Sequence, residues 1–268
     1  TYFEGSLVEP LSCVIGAFNA NYHLQEGSYN HKMGIRPQGH TLILGGTGPM
    51  GLLAIDYALH GPVNPALLVV TDTNNDKLSY ARKHYPSEPQ TLIHYLHAQD
   101  ASYDTLMALS GGHGFDDIFV FVPNEQLVTL ASSLLAADGC MNFFAGPQDK
   151  QFSAPINFYD VHYAFTHYVG TSGGNTDDMR AAVKLIEEKK VQAAKVVTHI
   201  LGLNAAGETT LELPTVGGGK KLVYTGKALP LTALTQIDDP ALRDILERHQ
   251  GVWSQEAEQY ILSHAEEI

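Results

Sequence analysis

The sequence predicts an α/β fold, a doubly wound parallel sheet of six strands, and three observations predict it. Six short apolar runs alternate with helix-length segments between residues 41 and 189. That is the rhythm of βαβ units whose strands are buried on both faces. A glycine-rich turn, Gly46-Thr47-Gly48-Pro49-Met50-Gly51, separates the first run from its helix. An acid, Asp72, closes the second run 21 residues after Gly51 (72 − 51 = 21).

The elements follow in order. Residues 7–25 read as a helix with Leu7, Leu11, Val14, Ile15 and Phe18 on one apolar face. A polar loop is expected over 26–40. Strand 41–44, the turn and helix 52–60 come next, then strand 66–71 and helix 76–84. Strand 91–95, helix 102–109, strand 117–122, helix 125–136 and strand 140–145 continue the alternation. A short helix over 157–163, strand 167–170 and helix 176–189 complete it. After residue 195 the pattern changes to two isolated strands, 199–203 and 221–225, separated by a polar stretch. Helices over about 239–249 and 254–267 end the chain, with Asp238 or Asp239 and Ser254 as N-caps.

In this context each part of the turn has a mechanical task. Gly46 permits the tight turn, Gly48 lets backbone approach a pyrophosphate, and Gly51 permits close packing of helix on strand. The N-terminus of the following helix offers free N–H groups and the positive end of its dipole to phosphates. Asp72 can accept hydrogen bonds from both ribose hydroxyls of NAD and would repel the 2′-phosphate of NADP. The bland reading is a glycine turn with a surface acid. S-adenosylmethionine also binds a glycine-rich first turn, but the third glycine favours a dinucleotide. No Gly-Lys-Ser/Thr follows, which argues against an ATP-binding loop.

Composition narrows the partners. Hydrophobic residues are 44% and charged residues 17%, ordinary for a globular chain of 268 residues. The net charge of -13 argues against nucleic acid, which needs a basic face. The apolar runs are strand-sized, so no membrane span is indicated. Cys13 and Cys140 stand far apart in no metal-like spacing, and the plain expectation is a reducing, cytoplasmic setting. His94 and His97 form an H-x-x-H with no paired carboxylate and read as surface or packed residues. The N-terminus has no start Met, basic region or apolar core of a signal peptide, and the chain reads as beginning inside a larger protein.

Further segments carry a resemblance. Val8-Glu9-Pro10-Leu11-Ser12-Cys13-Val14 resembles a segment of the medium-chain, zinc-type polyol dehydrogenases. Asp76-Lys77-Leu78 with Ala81 fits the same family, as do Ala136-Ala137-Asp138-Gly139 and Gly170-Thr171-Ser172-Gly173-Gly174. Val197-Thr198-His199 and Gly219-Lys220-Lys221-Leu222-Val223 extend the match, in the family's order, to about residue 225. The loop at 26–40 and the C-terminal helices are most similar to the L-sorbose-1-phosphate reductase branch.

The resemblance implies a Rossmann domain that binds NAD, or less favourably NADP, over 27–195. Residues 1–26 would be the helix linking it to a catalytic domain. Residues 196–268 would be the C-terminal remnant of that GroES-like domain with terminal helices. It further implies that Gly46, Thr47, Gly48, Pro49 and Met50 contact the pyrophosphate, with Gly51 closing the turn. Asp72 would hold the adenosine ribose with Lys77 nearby, and Val122 and Pro123 would lie along the cofactor. Ala145, Gly146, Gly170, Thr171 and Ser172 would flank the nicotinamide. Glu9 corresponds to a glutamate that reaches the catalytic zinc directly or through its water. The alternative for Glu9 is a first-turn acid complementing the helix dipole. The family's other zinc ligands would precede Glu9, and Cys13 reads as a small buried thiol rather than a substitute.

The implied reaction is hydride transfer between a nicotinamide and a sugar, polyol or sugar-phosphate carbonyl, with zinc assisting in the longer protein and this chain inactive alone. Arg36, Lys150 and Lys220 are candidate partners for a substrate phosphate. A homodimer paired through the sixth strands is implied. Two other readings stand beside this one: a zinc-free quinone reductase, against which Glu9-Pro10-Leu11 argues, and a non-catalytic NAD(H)-sensing module.

Overall fold

The computed structural model describes residues 1–268. Helix α1 (Tyr2–Ala20) starts five residues before the apolar periodicity does (7 − 2 = 5). Leu7, Leu11, Val14, Ile15 and Phe18 are buried, as the helical spacing predicts. The helix then stops where the periodicity continues. Tyr22–Leu24 (β1) and His31–Met33 (β2) form an antiparallel hairpin in place of the end of the helix and the start of the loop. Strands of three residues, one of them wholly exposed, leave no alternation to read.

The alternating region contains β3 (His40–Leu44), α2 (Pro49–His60), β4 (Leu67–Asp72), α3 (Asn75–His84) and β5 (Leu92–His97). It continues through α4 (Tyr103–Leu109), β6 (Phe115–Val120), α5 (Glu125–Leu134), β7 (Leu135–Phe143), α6 (Phe158–Tyr163), β8 (His167–Gly170) and α7 (Thr176–Glu187). The six strands form one sheet in the order β5-β4-β3-β6-β7-β8, every neighbouring pair parallel. Four of the five residues of β3 and five of the six of β4 are buried, which is why these strands lack hydrophobic–polar alternation. β5 and β8 are the edges and are correspondingly more open. The chain runs outward from β3 to β5, then returns to place β6 against the other side of β3. This reversal opens a crevice at the carboxyl ends of β3 and β6, where such sheets bind ligands.

The sequence expectation for the fourth strand is two residues late at each end, since β6 is Phe115–Val120 and not 117–122. Val122 extends the apolar run for another reason. A Cβ built on Gly45 would lie 2.8 Å from its Cγ1, so Val122 packs over the start of the glycine turn.

Below the opposite, amino ends of the strands lies a polar cluster. Buried Asp117 accepts from Asn21 Nδ2 (2.7 Å) and the Arg36 N–H (2.8 Å). Asp138, held at φ 60°, accepts from Arg36 Nη2 (2.7 Å) and the Leu24 N–H (2.9 Å) and bonds His167 Nε2 (2.8 Å). These contacts fasten the β1–β2 hairpin to the sheet.

Contacts divide the chain into two units, Glu9–Val191 and Thr1–Val8 with Gln192–Ile268. In the second, a 3-10 turn leads into β9 (Val197–Gly202), followed by α8 (Leu203–Glu212) and β10 (Lys220–Tyr224), which pairs parallel to β9. β11 (Thr232–Ala233) pairs antiparallel to β9, and α9 (Pro240–Arg248) and α10 (Gln255–His264) end the chain, capped by Asp239 and Ser254. α8 falls where the sequence suggests only a polar stretch. Trp253 Nε1 donates to Tyr224 Oη (2.8 Å), which donates to Glu258 (3.1 Å). The buried Glu258 carboxylate in turn accepts the N–H groups of Tyr2 and Phe3, both at 2.9 Å, and caps α1 from a distant part of the chain. No helix is long and apolar enough to cross a membrane.

Candidate cofactor site

The five helices α3 to α7 each begin with an Asn or Ser whose side chain accepts a backbone N–H: Asn74, Ser102, Asn124, Asn157 and Asn175. α2 does not. Its N-cap is Gly48, no side chain caps it, and Pro49 occupies the first turn. The N–H groups of Gly45 and Gly46 donate to Thr71 O (3.0 and 2.9 Å), and that of Thr47 to Asp72 Oδ2 (3.0 Å). Those of Gly48, Met50 and Gly51 have no acceptor within the protein. A Cβ on Gly48 would meet nothing within 4 Å. An open backbone at an uncapped helix start is the geometry that receives an anion.

The other glycines have different work. The tight turn belongs to Gly45, at φ 73°, and not to Gly46 as the motif alone suggests. Gly46 is required by packing, since a Cβ there would lie 2.7 Å from both Ile43 and Val70 side chains. Gly51 is required by the turn itself, because its Cβ would lie 2.4 Å from Gly46 O. Gly45 carries no signal beyond being the first of a glycine pair.

The remaining predicted positions gather on the same side of the sheet. Asp72 ends β4, and Lys77 lies in the first turns of α3 with its side chain exposed. Val122 and Pro123 follow β6, Ala145 and Gly146 follow β7, and Gly170 ends β8 with Thr171 and Ser172 beyond. Because the strands are parallel, all these positions share one rim. Two buried hydroxyls on it, Thr47 Oγ1 and Thr171 Oγ1, have no hydrogen-bond partner. Orphaned buried donors beside open backbone fit an elongated polar ligand lying along the rim.

Three cations were candidates for a substrate phosphate. Arg36 is not placed for it: it lies at the amino ends of the strands, its Nε 2.9 Å from Asp116 and its Nη2 2.7 Å from Asp138. Lys150 is exposed beyond β7, on the rim side, and Lys220 starts β10 in the other unit. His94 and His97 both lie in β5, and His97 Nε2 bonds Thr73 O (2.9 Å), a structural contact.

The sequence profile of the zinc-binding dehydrogenases matches residues 49–188, just over half of the chain. The chain belongs to the zinc-binding dehydrogenase family. It is similar over its whole length, at 85% identity, to an L-sorbose 1-phosphate reductase of Klebsiella pneumoniae. A mannitol-1-phosphate 5-dehydrogenase of Aliivibrio fischeri is 42% identical over 97% of the chain. The chain spans 65% of the length of each relative. Among solved structures, the 2R,3R-butanediol dehydrogenase of Bacillus subtilis shares the fold, with a TM-score of 0.65 and 19% identity over 84% of this chain and 58% of that one.

For a zinc-binding dehydrogenase, these residues do not themselves form a metal centre. No three His, Cys, Asp or Glu side chains lie close enough together to hold a metal ion. Glu9 is exposed in the third turn of α1 and accepts a hydrogen bond from Cys13 Sγ (3.2 Å). Since α1 starts at Tyr2, Glu9 is not a first-turn acid, and the dipole alternative is corrected. Cys13 is half-buried, where the sequence reading expects a small buried thiol. Cys140 is fully buried, and burial pushes its thiol up to about 12, so it is inert at neutral pH.

Proposed function

We propose that this chain is the cofactor-binding part of an oxidoreductase that moves a hydride between a nicotinamide dinucleotide and a sugar, polyol or sugar-phosphate substrate. The observation that carries the dinucleotide half is the uncapped start of α2 beside Asp72, at the point where strand order reverses. The substrate half rests on the names of the relatives, an L-sorbose 1-phosphate reductase and a mannitol-1-phosphate 5-dehydrogenase.

In this reading the N–H groups of Gly48, Met50 and Gly51 hold the pyrophosphate, with Thr47 Oγ1 as a further partner. Asp72 accepts from the adenosine ribose, which favours NAD over NADP, and Lys77 stands close by. Val122 and Pro123 lie along the cofactor. Ala145, Gly146, Gly170, Thr171 and Ser172 wall the nicotinamide end and keep water from it. The bound nicotinamide supplies the hydride. Glu9 is the one residue here proposed to reach a catalytic zinc, and one ligand cannot hold it, because such a site takes three from the protein. Lys150 and Lys220 remain the candidates for a substrate phosphate.

The open side of β8, preceded by exposed Phe158, Tyr159, Tyr163 and Phe165, supports a homodimer. The two unbridged cysteines suit a cytoplasmic setting.

The test is titration of the chain with NADH followed by nicotinamide fluorescence, and an assay with sugar phosphates with and without added zinc. Saturable NADH binding without turnover is the expected result. Absence of NADH binding, or turnover by these residues alone, would contradict the reading.

A further inference from the structure

The loop that follows β8 is seated directly on α1. A Cβ built on Gly174 would lie 2.4 Å from Ser12 O, 2.6 Å from Ser12 C and 2.7 Å from Ser12 Oγ. Two of those atoms are backbone of a buried helix, so neither side can yield by turning a side chain. One turn further along α1, a Cβ on Gly16 would meet Gly173 O at 3.1 Å, Gly174 Cα at 3.2 Å and Asp178 Oδ2 at 3.1 Å. Two glycines, one on each partner, therefore let loop and helix approach to backbone contact.

Polar contacts fix the same seam. Asp178 is buried at the start of α7, and its Oδ1 accepts from Asn19 Nδ2 (2.8 Å) of α1. Its Oδ2 accepts the Asn175 N–H (2.9 Å), and Asn175 Oδ1 accepts the Asp178 N–H (3.0 Å), closing a capping box. Ser12 Oγ donates to Glu9 O (2.7 Å), so the turn that supports Gly174 is the turn that carries Glu9. At the loop's other end are Gly170, Thr171 and Ser172.

We propose that Gly174 and Gly16 are positioning residues that seat loop 171–174 on α1, so that the nicotinamide end of the cofactor pocket takes its shape from the helix bearing Glu9. This rests on the placing of the nicotinamide beside Gly170–Ser172 proposed above. The adenosine end depends on Gly48, Met50, Gly51 and Asp72, none of which touches this seam. The two halves of the pocket are thus set by different parts of the fold. A change at the seam alters recognition of the nicotinamide and leaves recognition of ADP-ribose unchanged.

The experiment is Gly174→Ala in the full chain, titrated separately with NADH and with ADP-ribose, which lacks only the nicotinamide ring. The added methyl overpacks a backbone contact, so NADH affinity is expected to fall about tenfold while ADP-ribose affinity stays within about twofold. Gly16→Ala, with its looser contacts, is the second variant should the first not fold, and is expected to give a smaller loss of the same selectivity. Equal losses for both ligands, or no loss for either, would overturn the inference. Failure of the unaltered chain to bind ADP-ribose or NADH would overturn the dinucleotide reading itself. Equal affinity of the unaltered chain for the two ligands would remove the nicotinamide contact on which the inference rests.

Discussion

Asp72 Oδ2 accepts the N–H of Thr47 at 3.0 Å, tying the end of β4 to the glycine turn that leads into α2. Its other oxygen accepts the Asn74 N–H at 3.1 Å. The carboxylate is therefore oriented by two backbone donors before any ligand arrives. In the proposed reading its charge and its remaining lone pairs select the ribose of NAD over that of NADP. Asp72→Asn keeps the outline, removes the charge and gives up one of the two backbone acceptances. NADH affinity is expected to fall about tenfold, the worth of a charge-assisted hydrogen bond, and NADPH affinity to rise. Parallel calorimetric titrations with both cofactors measure this, and an unchanged preference would mean that Asp72 does not face the ribose.

Gly48 and Gly51 make a matched pair for separating binding from folding. Gly48→Val adds side-chain atoms where the protein has no neighbour within 4 Å, so the melting temperature should hold while NADH binding is lost. Gly51→Ala places a methyl against Gly46 O and should destabilise by about 2 kcal/mol or more. If thermal melts showed both variants equally stable, the assignment of Gly51 to the closure of the turn would be wrong.

His60 offers a pH test within α2. Its Nδ1 lies 2.7 Å from buried Asp56 and its Nε2 3.6 Å from Glu88. The hydrogen bond to Asp56 raises the imidazole above its ordinary value against the opposing effect of burial, with Glu88 adding to the rise. A raised folded value means that the contribution is complete below the unfolded value of about 6.5 and is lost as pH rises through the folded value. The gap in melting temperature between the unaltered chain and His60→Gln should accordingly be widest in mild acid and narrow as pH increases. A gap that widened toward alkaline pH would contradict the sign.

Self-association is the fourth expectation. Multi-angle light scattering at micromolar concentration should give twice the chain mass, and Val169→Pro on the open edge strand should shift it toward monomer. A chain-mass particle for the unaltered protein would remove the dimer.

The sheet was legible because β3, β4 and β6 are buried on both faces and so carry the apolar runs Leu42–Leu44, Leu67–Val70 and Ile118–Val120. The turn and Asp72 were legible because motif and spacing agreed with that alternation. What escaped reading had no such imprint. In α8, Leu203–Glu212, Thr209 is the one buried residue, and Gly207 interrupts the segment, so no apolar stripe forms. The start of α1 depends on Glu258, a contact across more than 250 residues of chain that no local pattern announces. Arg36 looked free because its partners, Asp116 and Asp138, come from distant strands. Gly174 matched a motif, but the reason for it, the backbone of Ser12, is visible only in three dimensions.

Every residue of α2 from Gly51 to Leu59 is buried, and Tyr57 meets Phe18 of α1 edge-on at 5.1 Å between ring centroids. A helix enclosed on all faces is among the last parts of a protein to open, and its interior amides should be among the slowest to exchange with deuterium. The free N–H groups at its start are thus mounted on one of the stiffest parts of the molecule. A pyrophosphate bound there, as proposed, would order almost nothing. Most of the entropy lost at that end of the proposed site would then be the ligand's own, and substitutions that loosen the far end of α2 should weaken binding without touching the ligand.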